Sequence, residues 1–276
     1  TRANGLLEAA RYAGFAVGPV LAGVIVAFGG ERLALLVNAA SFLAIAAATA
    51  LLRARRPPQK APAPDRARDG VVHLWRDPVL RVTLLVNVAA LLFISASITI
   101  EVLYVKDVLE AGDAAYAAIV AVWMAAMVAG ATGLAGRLPQ RSAATVALVA
   151  LAVQGAGMAA QTAWAILPVA FAGYAVGGLG HGVKNTLLQL TVQQRVPGRL
   201  HGRAFAAYSA ARNAAELVAL AAGGLLVAAI GPRPALLIAG LAPVVLAAVG
   251  LVVLRPAFEP RTIRGAEAAN VGGGIS

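Results

Sequence analysis

The 276 residues include no cysteine. That excludes a disulfide framework and any thiolate-held metal. Charge is scarce: 13% of residues are Asp, Glu, Lys or Arg, where soluble domains carry about a quarter. Acids are scarcer than bases, 12 against 23, for a net charge of +11. There are three histidines, and no His/Asp/Glu cluster has metal-ligand spacing. No Ser/His/acid set is supported either: His73 falls in a connection, and His181 and His201 lie near basic residues. The stretch "GGLGHGVKNT", Gly177 to Thr186, is glycine-rich, but Val183 separates Gly182 from Lys184 and the stretch lies in an apolar run. A phosphate loop needs Gly-Lys-Ser/Thr after a strand. No metal, no cofactor and no enzymatic activity are expected.

Hydrophobic residues are abundant, at 60%, and they cluster. A bilayer core needs about 20 apolar residues in a helix rising 1.5 Å each. Eight runs qualify: 6–28, 33–52, 79–105, 114–134, 143–162, 166–192, 204–230 and 235–254. The fold class expected is an all-α, polytopic membrane bundle, with the lipid bilayer as its first partner.

The positive charge is not spread evenly. Arg53, Arg55, Arg56, Lys60, Arg66, Arg68 and Arg76 fill one connection. Arg137 and Arg141 fill another, and Arg195, Arg199 and Arg203 a third. Between them lie connections with Arg32 alone, Lys106 among acids, none, and Arg233 alone. Arg2 precedes the first run, and Arg255, Arg261 and Arg264 follow the last. Alternation of this kind is the positive-inside pattern. It places both visible ends in the cytoplasm and accounts for the net charge without nucleic acid.

The long connection "RARRPPQKAPAPDRARDG" is basic and proline-rich, the composition of a disordered or extended linker. "VVHLWRDPVL", Val71 to Leu80, then leads into the third run as an interfacial segment. The linker parts two runs from six, as in a protein of two six-span halves. Residues 1–52 are read as the last two helices of an N-terminal bundle and 53–78 as the cytoplasmic linker. Residues 79–254 are read as a six-helix C-terminal bundle, and 255–276 as a disordered cytoplasmic tail. Eight helices of an expected twelve are then visible, and the chain is read as partial.

"GFAVGPVLAG" places Gly14, Gly18, Pro19 and Gly23 inside the first run. Gly costs a helix about 1 kcal/mol and Pro about 3. In a membrane the offset is close helix packing through small residues, and the proline fixes a bend. A second small-residue stripe, Ala126, Gly130, Gly133 and Gly136, is expected to face the first.

"GFAVGPVLAG" resembles the glycine–proline motif in the fifth helix of major facilitator superfamily exporters. "TGLAGRLPQR", Thr132 to Arg141, is similar to the family's loop signature between helices eight and nine, with Arg137 and Arg141 kept and Gly136 standing where the signature has an acid. "RVPGRLHGRAFA", Arg195 to Ala206 and so including Gly202 and Arg203, resembles the loop between helices ten and eleven of macrolide- and siderophore-exporter-like members. "EVLYVKDVLEAG", Glu101 to Gly112, resembles the end of helix seven in that branch. The resemblance covers nearly the whole chain as helices five to twelve. It implies alternating access, efflux of a small amphipathic molecule by a proton antiporter, and a site in the bacterial inner (plasma) membrane. An importer on the same fold, a membrane-embedded enzyme and a non-transporting eight-helix scaffold are the alternatives.

Ionisable residues inside spans are functional candidates. Run six carries His181, Lys184, Asn185 and Gln189, spaced to share one helical face. Run seven carries Ser209, Arg212, Asn213 and Glu216. Glu216, Arg212 and Lys184 fall near the bilayer centre and are the candidates for a central charge and proton coupling. A static Arg212–Glu216 pair, four apart on one helix, is the competing reading. Two cations against one acid also fit an anionic substrate. Asn87 and Glu101 of run three are further cavity candidates, Glu101 as a rim carboxylate.

Overall fold

The structure is a computed structural model that describes residues 2–51 and 67–258. Among the described residues every element is helical. Helix α1 spans Arg2–Leu51, α2 Ala67–Arg76, α3 Pro78–Leu103, α4 Asp113–Ala129, α5 Ala143–Ala160, α6 Leu167–Arg195, α7 His201–Ile230 and α8 Pro232–Phe258. The linker between 52 and 66 and the tail from 259 onward lie outside the described residues.

Local chemistry places the breaks. Gly30, at φ 71° and ψ 176°, kinks α1 between its two apolar runs; a residue with a Cβ would be strained there. Asp77 caps α3: its Oδ1 accepts from Val79 N at 2.8 Å and Leu80 N at 3.0 Å, with Pro78 opening the helix. The same carboxylate pairs with Arg195 at the end of α6, 3.0 Å away. His73 Nε2 bonds Arg195 O at 2.9 Å. The segment expected at the interface is therefore a helix, α2, docked where α6 ends and α7 begins. Its Val71 and Trp75 stay exposed. Tyr104–Val108 continues α3 as a π-helical turn, and Gly130–Leu134 does the same for α4.

Among the described residues, six helical stretches are long and apolar enough to cross a membrane: Arg32–Leu51, Pro78–Val108, Asp113–Arg137, Gln140–Ala160, Gly198–Ile230 and Pro232–Arg255. Of the eight runs expected, 166–192 is the instructive absence. Helix α6 is 29 residues long, ample for a bilayer at 1.5 Å per residue, but its glycines and polar side chains lower its apolarity. The run 6–28 lies in the first half of α1, most of whose side chains are outside the described residues.

Helices α3 to α8 pack in the order α4, α6, α5, α8, α3, α7. That order forms an open arc, with α4 and α7 as its two ends. Close approach of backbones holds the middle of the arc. A Cβ on Gly157 of α5 would stand 2.6 Å from Gly173 O of α6, so only glycine allows this contact. Leu148, Leu151 and Met158 of α5 are buried along the same helix. Helix α1 touches α4, but from Leu33 to Leu51 its large apolar side chains are exposed.

Among the described residues, the glycines of the two small-residue stripes do not meet. Gly130 is turned to the backbone of Leu179 on α6. The Cβ positions of Gly14, Gly18 and Gly133 have no neighbour within 4 Å. The side chains around Pro19 and Gly23 are outside the described residues. Small residues mark a close approach in sequence but do not name the helix that approaches.

Arginine is concentrated at one end of the arc: Arg76 and Arg81, Arg137 and Arg141, Arg195, Arg199 and Arg203, and Arg255. Lys106 and Arg233 stand at the other. Arg137, Arg141 and Gly202 are exposed there, and Arg203 is half-buried.

Candidate functional site: a polar cavity in the concave face

A cavity of about 320 Å³ opens in the concave face of the arc, walled by α3, α4, α6 and α7. A second lobe of about 290 Å³ adjoins it and shares Trp123, Met124, His181, Asn185 and Arg212 in its wall. Each polar residue enters through helical spacing. On α3, Asn87, Ser95, Ser97 and Glu101 line the first lobe between Leu91, Ile94 and Ile98. On α6, Tyr174, His181, Lys184 and Asn185 fall at steps of seven, three and one, and Gln189 continues into the second lobe. On α7, Tyr208, Arg212 and Glu216 follow at steps of four.

The two ends of the first lobe differ chemically. At Lys184 level the wall is cationic. Lys184 is only 2% exposed. Arg212 donates from Nε to Glu216 Oε1 at 3.0 Å, along one helix, and this pair is open to the cavity. Asn87 Nδ2 donates to the Tyr208 hydroxyl at 2.5 Å, which ties α3 to α7. Asn185 donates to His181 Nε2 at 2.8 Å. At the other end Glu101 stands among Tyr116 and Tyr174, and Ser97 Oγ donates to it at 3.0 Å. The Asp77–Arg195 contact makes the starts of α3 and the end of α6 level, so Glu101 lies roughly 18 Å further along the membrane normal than Lys184 at 1.5 Å per residue. Leu91, Ile94, Ile98, Val120 and Met124 line the apolar stretch between them.

The structure brings together Asn87, Glu101, His181, Lys184, Asn185, Gln189, Arg212 and Glu216. Asn213 is left out: one step of about 100° from Arg212 turns it away, and it is exposed outside the cavity wall. Glu101 is not an open rim carboxylate. It is 8% exposed, because the π-helical turn beyond it and Tyr174 close over that end. Sequence reasoning missed the aromatic wall, Tyr116, Trp123, Tyr174 and Tyr208. Its signal was available: Tyr116 and Trp123 are seven apart on α4, and Tyr174 and His181 seven apart on α6, so each pair shares a face. Trp123 packs edge-on to Tyr174, centroids 5.7 Å apart, and stands 5.6 Å from the His181 ring.

An arc of helices, most of them long and apolar enough to cross a membrane, with a polar cavity in its concave face is the architecture of a polytopic membrane protein. The comparison with known families names the group: residues 1–219 match the Major Facilitator Superfamily, and the chain belongs to it. No curated protein matches the chain.

Proposed function

We propose that this transporter is a proton-coupled exporter of small amphipathic molecules. It works by alternating access between the six-helix arc and a second bundle over its concave face. The cavity carries the reading: polar groups grouped at two depths, with an apolar stretch between, suit a ligand with a polar head and an apolar body. The likeness of Gly14–Gly23 to the exporter motif supports the outward direction.

The proton carrier is Glu101. Among the described residues no cation pairs with it, so protonation there strands no positive charge. Protonation of Glu216 would leave Arg212 without its anion. The Arg212–Glu216 pair keeps the wall of the cavity polar and organised.

The measurement is transport by the full-length protein in proteoliposomes with an imposed pH gradient. Naphthalene derivatives bearing a carboxylate, an amide or an aminomethyl group serve as cargo. At least one should accumulate against its gradient. Glu101→Gln should keep exchange of that cargo but lose accumulation by tenfold or more, and Glu216→Gln should keep accumulation. Equal rates with and without the pH gradient would overturn proton coupling.

The arginine-rich end of the arc faces the cytoplasm of a bacterial plasma membrane, with both visible ends of the chain on that side. These 276 residues carry no cysteine, so labelling uses the full-length protein with any cysteine outside them replaced by serine. A single cysteine at Arg141 should react with an impermeant maleimide only from inside, and one at Gly112 only from outside. The reverse labelling would invert the topology and the direction of transport with it.

A further inference from the structure

The cavity has a charge imbalance at one depth. Lys184 is buried in its wall and makes no hydrogen bond or ion pair among the described residues. Among the described residues the carboxylate nearest its level, Glu216, is taken by Arg212. The remaining cavity carboxylate, Glu101, is roughly 18 Å away along the membrane normal. A buried ammonium is stabilised only by a counter-anion or several acceptors.

The neighbouring histidine does not supply it. Asn185 Nδ2 donates to His181 Nε2, and His181 Nδ1 is buried with no hydrogen-bond partner and no surface on the cavity. Among the described residues the Lys184 ammonium thus stands in a polar wall with no acceptor, which calls for an anion. The Trp123 ring beside His181 and the side chains of Ile94 and Met124 offer the apolar surface for the rest of the molecule.

We propose that the cavity takes an amphipathic organic anion, a carboxylate carried on an aromatic or aliphatic body, with Lys184 Nζ as its head-group donor. This specifies the substrate class of the transport site and rests on the transporter reading for its physiological meaning. Glu101, at the far end, disfavours a second negative charge there, so the ligand is a monoanion.

The test is equilibrium dialysis of the full-length protein in lipid nanodiscs against 2-naphthoate, 2-naphthamide and 2-naphthylmethylamine, corrected with empty nanodiscs. Naphthoate should bind at least tenfold tighter than naphthamide, with the amine weakest. Lys184→Met should remove that preference while leaving the amide's affinity within twofold, and Lys184→Arg should retain most of it. Equal binding of carboxylate and amide by the unaltered protein overturns the proposal whatever the variants do. So does tighter binding of the amine, or a folded Lys184→Met variant that keeps the preference. The transport assay separates the two readings. Preferred binding of naphthoate with no gradient-driven movement of any cargo defeats the proton-coupled exporter and leaves the site intact. Export of the amine with no binding of naphthoate does the opposite.

Discussion

Helices α6 and α7 are nearly equal in length, 29 and 30 residues, and both carry cationic and polar residues at mid-depth. Their surroundings differ. Helix α6 is wedged between α4 and α5, while α7 ends the arc and packs mainly on α3. Gly173, Gly177, Gly178, Gly180 and Gly182 of α6 are all buried, and so is Lys184. Only Ala204, Ala215, Ala219 and Gly223 are buried on α7. Yet α7 has the apolarity of a membrane-crossing helix and α6 does not. In water the more apolar helix would be the more buried one. In a bilayer the solvent itself is apolar, so apolarity marks the lipid face and polarity marks the interior.

The comparison breaks most visibly at glycine. The glycines of α6 serve both neighbours. Gly173 and Gly180 meet the backbone of α5 at Gly157 and Ala150, Gly178 and Gly182 meet the backbone of α4 at Trp123 and Met127, and Gly177 lies between Gly157 of α5 and the Trp123 ring of α4. The Cβ position of Gly224 on α7 has no neighbour within 4 Å. Gly182→Leu should therefore lower stability by about 3 kcal/mol, the upper part of the range for overpacking, and lose cavity binding with it. Gly224→Leu should leave stability unchanged or raise it by up to about 1 kcal/mol, since Leu favours helix over Gly. Thermal unfolding of the two variants in the same detergent checks both signs. An equal loss in both would mean that α7 is as tightly packed as α6, and the open arc would be wrong.

Much of this architecture is legible in the sequence, and its limits are physical. The apolar runs give the helices to within a few residues, because the bilayer fixes how long each must be. Steps of three, four and seven place Lys184, Asn185, Arg212 and Glu216 toward one space, because helical geometry is local. What is not local is not legible. The stripe at Gly130 could face any neighbour, and it faces α6. Glu101 reads as a rim residue by position alone, because a π-helical turn and an aromatic lid are tertiary facts. Asn213 sits one step from Arg212 and reads as its companion until the helix is oriented. The polarity of α6 weakens it as a membrane span in sequence, although that polarity is what its buried position requires.

The smallest expected effect separates the two kinds of mid-depth charge. Arg212 and Glu216 have side chains 45% and 33% exposed, so water in the cavity screens their attraction, and an i,i+4 pair of this kind couples by less than about 1 kcal/mol. Among the described residues Lys184 has no such partner, and it is only 2% exposed. A double-mutant cycle of Arg212→Gln and Glu216→Gln, read by chemical unfolding, should give a coupling energy below about 1 kcal/mol. Each single variant should fold, because the group left behind is still solvated. A coupling of several kcal/mol would mean that the cavity is dry around α7, as a closed second bundle would make it. The two helices would then hold their charges in the same environment, and the open face of the arc would be the part of the comparison to give up.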